Sequence, residues 1–212
     1  MNEGSNTNTR LEQQVSFLME IDRLKTVLRQ TPITDSSRPE NTAEHSWHLA
    51  LFALVFAEYA TEPVDIARVV MMLLVHDLVE IDAGDVFVYA MNDSAVAAQQ
   101  DADEQRAADR IFAMLPLDQG AELRALWDEF ESKATPESRF AKTIVRLQPL
   151  LLNRASGGGS WSLHSVTADM TANLIRRTMQ KDSVLTDYAL ALVDQAVVDG
   201  LLLPPNPNAA SS

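Results

Sequence analysis

An apolar helical segment in the middle of the chain ends at a pair of ionisable residues. Residues 71–75 read Met-Met-Leu-Leu-Val, His76 and Asp77 follow at once, and Glu80 comes one turn later. Burying an imidazole and a carboxylate in an apolar helix is costly unless they are paired or bound to a cation. A second imidazole, His45, stands at the start of another apolar helical segment. Two predicted helices therefore offer ligands for one cation.

The hydrophobic pattern is helical along nearly the whole chain, because helix formers dominate and clusters of β-branched residues are scarce. Thr42 can cap one helix, and Pro63, Pro116 and Pro136 mark helix boundaries. We expect an all-α fold without internal repeats. The eight predicted helices cover residues 11–30, 43–60, 64–78, 95–114, 117–133, 137–153, 166–180 and 183–200.

A chain of 212 residues with 46% hydrophobic content is long enough for one domain with a substantial core. We expect a single helical-bundle domain over residues 11–203, with flexible ends at 1–10 and 204–212. The sequence Gly157-Gly158-Gly159-Ser160 has the composition of a linker. Because the helical pattern resumes directly after it, we interpret it as a loop inside that domain.

The net charge of −13 argues against nucleic acid or an anionic membrane as a partner. The longest apolar run, residues 49–57, is far shorter than the about 20 residues that cross a bilayer. Without cysteine, disulfides and sulfur-ligated zinc are excluded, and residues 1–10 lack the apolar core of a signal peptide. These features favour a cytoplasmic protein. A small phosphate ester remains a possible substrate, because local arginines or a metal act at short range.

Three stretches together resemble one known family. Residues 38–48 read RPENTAEHSWH, residues 74–85 read LVHDLVEIDAGD, and residues 146–153 read RLQPLLLN. They are similar to motifs of the HD-domain metal-dependent phosphohydrolases, in the subgroup that contains bacterial 5′-deoxynucleotidases. The resemblance extends over almost the whole chain and implies a single-domain HD helical bundle.

The resemblance also implies a site and an activity. His45, His76 and Asp77 match three metal ligands of the family, so the expected cofactor is a divalent metal: Mn, Co, Mg, Zn or Fe. The implied reaction is hydrolysis of the phosphomonoester of (deoxy)nucleoside 5′-monophosphates. Family members often self-associate, so a homodimer is expected.

The sequence departs from the family at a fourth ligand. The family has a late aspartate directly before the Arg-Leu-Gln-Pro segment, and Val145 stands at that position. Because valine cannot bind a metal, we expect weaker binding of a hard cation and an open coordination position. The hydrolase is then altered or weakened.

Two other functions stay open. Two imidazoles and one carboxylate match the facial triad of non-haem iron sites, which indicates a repurposed or engineered metalloenzyme with non-phosphatase chemistry. Alternatively, the chain is a metal-free binding protein. Metal content and phosphate release distinguish these alternatives.

Acidic residues near the doublet are the catalytic candidates. Glu80 lies four residues after His76, on the same helix face, where a carboxylate can assist proton transfer beside Asp77. The alternative role for Glu80 is a helix-end salt bridge. The resemblance implies that Asp85 accepts a hydrogen bond from the sugar 3′-hydroxyl, whereas its alternative role is turn capping.

Substrate-binding candidates lie outside the doublet. Arg23 and Arg38 can grip phosphate oxygens with their guanidinium groups, although either can equally be a solvated charge. Trp47 can stack on a base, although tryptophan at helical spacing is more often part of a core. His48 is a possible substitute ligand or a packing residue. Without a metal, Arg146 is expected to pair with Asp77.

Overall fold

The structure is a computed structural model that describes residues 3–206. Within this range the chain forms ten α-helices and one small antiparallel sheet, which confirms the predicted all-α class. The helices are α1 (Glu3–Ile21), α2 (Thr42–Phe56), α3 (Ile66–Val75), α4 (Glu80–Ala83), α5 (Ser94–Phe112), α6 (Leu117–Ser132), α7 (Pro136–Ala155), α8 (Gly159–Leu163), α9 (Ala168–Thr178) and α10 (Val184–Val198). The strands are β1 (Leu28–Pro32) and β2 (Pro39–Asn41).

Seven of the eight predicted helices coincide with α2, α3, α5, α6, α7, α9 and α10, with ends that differ by a few residues. The short helices α4 and α8 were not predicted, because each has too few residues for a periodic pattern. Helix α1 already begins at Glu3, so residues 3–10 of the predicted flexible end are helical. Of the predicted flexible C-terminal end, residues 204–206 are exposed and form no helix or strand. Residues 1–2 and 207–212 lie outside the described residues.

The predicted helix over residues 11–30 is wrong beyond Ile21. Helix α1 ends at Ile21, a 3₁₀ turn covers Asp22–Thr26, and β1 follows. Strand β1 pairs with β2, with Leu28 opposite Asn41 and Pro32 opposite Pro39. Hydrogen bonds between the two strands pair their backbone N–H and C=O groups, and this pairing outweighs the helical pattern of the local sequence.

Helix α7 lies at the centre of the fold and contacts α2, α3, α6, α9 and α10. The main core contains fully buried side chains from α2, α3 and α7, including Leu49, Met72, Leu73, Phe140 and Ile144. Burying each such side chain contributes about 1.5–3 kcal/mol to stability. The helix that carries His45, the helix that ends just before His76 and the helix that carries Val145 are therefore fixed against one another.

A second core packs α1 and α5 against α6 and the end of α3. Its buried members include Phe17, Ile111, Phe112 and Trp127. This cluster supports the segment after α3, because Trp127 Nε1 donates a hydrogen bond to the carbonyl oxygen of His76 at 3.1 Å. Across the described residues, every helix is too short or too polar to span a membrane.

Candidate metal centre

His45 occupies the first turn of α2. The helix begins after Asn41, whose side chain accepts a hydrogen bond from Glu44 N, while the Glu44 carboxylate accepts one from Asn41 N. This capping box replaces the predicted cap, Thr42. The His45 side chain is fully buried, and its Nδ1 lies 3.0 Å from Glu40 Oε2. Burial lowers the pKa of His45 well below its usual value, so the imidazole stays neutral, as a metal ligand must be.

His76 follows directly after the last residue of α3. Its Nδ1 lies 2.9 Å from the carbonyl oxygen of Leu73, and its ring packs against the Phe130 ring. Because Nδ1 of His45 and of His76 each faces an oxygen acceptor, both Nδ1 atoms carry the proton. In the neutral form of each ring, which is the form that binds a metal, the lone pair is therefore on Nε2.

These lone pairs converge on Asp77. Asp77 Oδ1 lies 3.0 Å from His76 Nε2, and Oδ2 lies 4.0 Å from His45 Nε2. One ligand atom from each of the three residues lies within 4.8 Å of the others. Both Nε2 atoms are buried and neither makes a well-formed hydrogen bond, although Asp77 lies beside His76 Nε2, and this is costly for a polar atom. A divalent cation at this point would satisfy them, so the three residues fit a metal site.

Arg29, on β1, is a central residue that the sequence analysis missed. Its guanidinium Nη1 lies 3.2 Å from Asp77, 3.4 Å from Asp85 and 3.7 Å from Glu80, and its Nε lies 3.8 Å from Glu40. Burial would lower the pKa of Arg29, but the carboxylates outweigh it and raise that pKa. The available signal was the presence of β-branched residues on either side of position 29, at Thr26, Val27, Thr31 and Ile33, which favours a strand.

The carboxyl group of Glu80 is buried next to Asp77. It accepts a hydrogen bond from Thr42 Oγ1 at 2.8 Å. Burial, followed by the charge of Asp77, raises the pKa of Glu80 well above its usual value. Burial opposes ionisation of Asp77 as well, but His76 and Arg29 outweigh it and hold the pKa of Asp77 below its usual range. The site thus combines an ionised and a protonatable carboxyl group.

Glu40 and Gln148 form a support that the sequence analysis also missed. Glu40 binds Nδ1 of His45 through one oxygen and accepts a hydrogen bond from Gln148 Nε2 through the other, at 2.6 Å. Burial raises the pKa of Glu40 to about 7. A carboxylate that orients a ligating imidazole is common at metal sites. Both residues lie inside the quoted sequence motifs, which was the available signal.

A cavity of about 170 Å³ opens beside the cluster. Asp77, Glu80, Arg29 and Asp85 line its polar side. Its other walls come from the loop after α4 and from α7, α8 and α9, and they include Phe87, Tyr89, Val145, Arg146 and Trp161. A polar end beside an aromatic wall suits a ligand with a charged and an apolar part.

Three predicted substrate-binding residues lie away from this cavity. Arg23 is exposed and pairs with Glu20 at 2.6 Å, and Arg38 is exposed and pairs with Glu44 at 2.9 Å. Neither lines the cavity. Trp47 is 60% exposed on the outer face of α2, so it is not a core residue either.

Two further expectations have clear outcomes. Arg146 does not pair with Asp77; its Nε donates a hydrogen bond to Thr178 Oγ1 at 3.2 Å. His48 lies next to Gln148 and packs edge-on against Phe52, so it is a packing residue in this structure.

The fold and the site define a class of protein: an all-helical domain in which neighbouring helices bring two imidazoles and an aspartate to a possible divalent-metal site. The sequence model of the HD-domain family matches residues 21–184 of this chain. Because this match covers more than half of the chain, the protein belongs to the HD-domain family.

Similar proteins agree with this assignment. The human 5′-deoxynucleotidase HDDC2 is 29% identical over 138 residues, which are 65% of this chain and 65% of the human protein. The 5′-deoxynucleotidase hdd1 of Schizosaccharomyces pombe is 27% identical over 139 residues, covering 63% of this chain and 67% of that protein. This chain thus spans 65% of the length of the human relative that it matches.

Solved structures show the same fold. The crystal structure of a predicted metal-dependent phosphohydrolase from Magnetospirillum magnetotacticum is 51% identical, with a TM-score of 0.83, and the match covers 92% of this chain and all of that one. A conserved hypothetical protein from Pyrococcus furiosus shares the fold alone, with 18% identity and a TM-score of 0.60 over 85% of this chain and 97% of that one.

Proposed function

We propose that the protein is a metal-dependent phosphohydrolase that acts on (deoxy)nucleoside 5′-monophosphates. The observation that carries this proposal is the convergence of two buried Nε2 atoms, neither with a well-formed hydrogen bond, with Asp77 at one end of an aromatic-lined cavity. The names of the human and fission-yeast relatives, both 5′-deoxynucleotidases, support the substrate class.

His45, His76 and Asp77 would hold the metal, for which Mn, Co, Mg, Zn and Fe are the candidates. A bound divalent ion would polarise a phosphoryl oxygen and lower the pKa of a water molecule that attacks phosphorus. Glu80 is proposed to exchange a proton with water or with the leaving alkoxide, since burial favours its protonated form and Thr42 fixes its orientation.

The substrate is proposed to lie in the cavity beside these residues. Asp85 would accept a hydrogen bond from a sugar hydroxyl, and the aromatic wall would pack against the base. Arg29 holds Asp77, Glu80 and Asp85 in fixed positions, since their mutual repulsion is offset by its charge.

We further propose that Val145 weakens this enzyme relative to a chain with an acid at that position. Val145 lines the cavity together with Asp77, so a carboxylate there would add an anionic ligand. The missing ligand would also leave one coordination position of the metal open. This open position is the reason that non-phosphatase chemistry remains an alternative.

The remaining proposals concern organisation. Residues 11–203 would form one domain of a cytoplasmic homodimer. One face of α1 is apolar and exposed, which supports self-association. This face carries Leu11, Val15 and Leu18. The net charge of −13 supports the absence of nucleic-acid and membrane partners. Light scattering after gel filtration measures the oligomeric state.

The test of function combines elemental analysis of the purified chain with phosphate release from nucleoside monophosphates under each added metal. Metal-dependent phosphate release that a Glu80→Gln variant lacks supports the proposal. Bound iron without phosphate release from any of these substrates would favour the facial-triad alternative. Absence of both metal binding and phosphate release would favour a metal-free binding protein.

A further inference from the structure

Arg146 lies on α7 beside Val145 and lines two cavities. One is the cavity described above, and the other, of about 220 Å³, lies on the far side of the doublet. The second cavity is lined by residues that include His76, Lys142 and Thr178. Asp77 and Val145 also line both cavities, so Arg146 stands where the two adjoin.

The guanidinium group of Arg146 has no anionic partner. Its one hydrogen bond goes from Nε to the neutral hydroxyl of Thr178, and no carboxylate of the described residues lies within ion-pair distance of it. The other buried cations at the site are paired: Arg29 with four carboxylates, and Lys142 with Glu131 at 2.9 Å. Arg29 therefore cannot take up an anion without losing partners, whereas Arg146 can.

Charges of both signs surround Arg146: the cations Arg29, Lys133 and Lys142 line the two cavities together with carboxylates. Burial lowers the pKa of Arg146 to about 10, and Arg29 and Arg177 lower it while Tyr89 opposes them. Arg146 is partly buried, and an anion that binds an unpaired, partly desolvated charge recovers some of the cost of that desolvation. A guanidinium fork matches the spacing of two oxygens on a phosphate group.

We propose that Arg146 anchors an oxyanion subsite where the two cavities adjoin, and that this subsite takes a phosphate or phosphoryl group. Thr178 holds the guanidinium in place through Nε, which leaves both terminal nitrogens free to donate to the oxyanion. Binding of free phosphate does not depend on turnover. Assignment of the anion as the phosphoryl group of a nucleotide rests on the proposed function.

The experiment is calorimetric titration of inorganic phosphate into the full chain after metal removal with a chelator, at constant ionic strength set with chloride. Arg146→Gln is expected to weaken phosphate binding at least about tenfold, because it removes hydrogen bonds to a charged group. Arg106→Gln is the matched control. It removes the same charge from the exposed surface of α5, where Arg106 pairs with Asp103, and is expected to leave affinity within about twofold.

A second variant keeps the test decisive if Arg146→Gln does not fold. Arg146→Lys keeps the charge but loses the fork, so it is expected to bind phosphate with an affinity between those of the wild type and Arg146→Gln. Circular dichroism checks the fold of each variant. No phosphate-dependent heat in the wild type, or equal affinity in the wild type and a folded Arg146 variant, overturns the proposal.

Two further titrations distinguish the sources of the anion. If the subsite takes the phosphoryl group of substrate, Arg146→Gln weakens binding of a nucleoside monophosphate and of phosphate but not of the free nucleoside. If it takes product phosphate alone, only phosphate binding weakens. Because these titrations contain no metal, their outcome is independent of the hydrolysis assay that tests the proposed function.

Discussion

The Val145→Asp variant tests how a fourth ligand would change metal binding and stability. Without metal, the substitution should destabilise the protein. Val145 is partly buried against the main core, and loss of its apolar contacts costs about 1 kcal/mol. A further carboxylate near Asp77 and Glu80 adds about 1–3 kcal/mol of repulsion and desolvation. The metal-free variant should therefore lose about 2–4 kcal/mol of unfolding free energy.

With metal, part of this loss should be recovered. Even residues that only support a metal ligand change affinity about 10–100-fold, so an added anionic ligand should tighten Mn²⁺ or Co²⁺ binding at least about tenfold, or about 1.4 kcal/mol. At a metal concentration about 100 times the dissociation constant, binding stabilises the folded state by about 2.7 kcal/mol. Phosphate release should rise with metal occupancy.

Calorimetric metal titration and chemical unfolding with and without metal measure these effects. Val145→Asn is the matched control, because it loses the same apolar contacts and has a similar size but adds no charge. We expect its metal affinity to stay within about threefold of the wild type. Equal metal affinity and equal turnover in the wild type, Val145→Asp and Val145→Asn would refute the assignment of this position to the metal site.

Three further substitutions test the surroundings of the site. Glu80→Gln should keep metal affinity but reduce phosphate release at least about 100-fold, since it removes a proton-transfer group; retained turnover in a steady-state assay would make Glu80 structural. Glu40→Gln should weaken metal binding about tenfold, because it loosens the orientation of His45; unchanged affinity by calorimetry would contradict this support. Arg29→Gln should cost about 3 kcal/mol of unfolding free energy in urea, because four carboxylates lose their shared cation. Unchanged stability would show that these carboxylates are compensated otherwise.

Long amphipathic segments are the part of the fold that local sequence predicts well. Helices α2 and α3, which contain His45 and directly precede His76, were predicted, and the three residues proposed as ligands lie close together in the structure. This agreement has a physical reason. Helical periodicity is a local property, and buried ionisable groups within an apolar pattern need a partner.

Strand β1 is a part of the fold that was not predicted. It pairs with β2 in a hairpin closed by residues 33–38, but the strands have only 5 and 3 residues, too few for a clear alternating pattern. This error affected the prediction of the site. With a helix over residues 11–30, Arg23 was a candidate for phosphate contact, whereas strand β1 places Arg29 next to Asp77 and Asp85. The hydrogen bond between Gln148 on α7 and Glu40 on β2 escaped prediction because the two residues are 108 positions apart along the chain.

The most direct test of the central claim is anomalous diffraction from crystals soaked in Mn²⁺. We predict an anomalous peak at about 2.0–2.3 Å from Nε2 of His45, Nε2 of His76 and a carboxylate oxygen of Asp77. An Mn²⁺-saturated crystal with no peak among these three residues, or with a peak bound only by other side chains, would contradict a metal centre at this position.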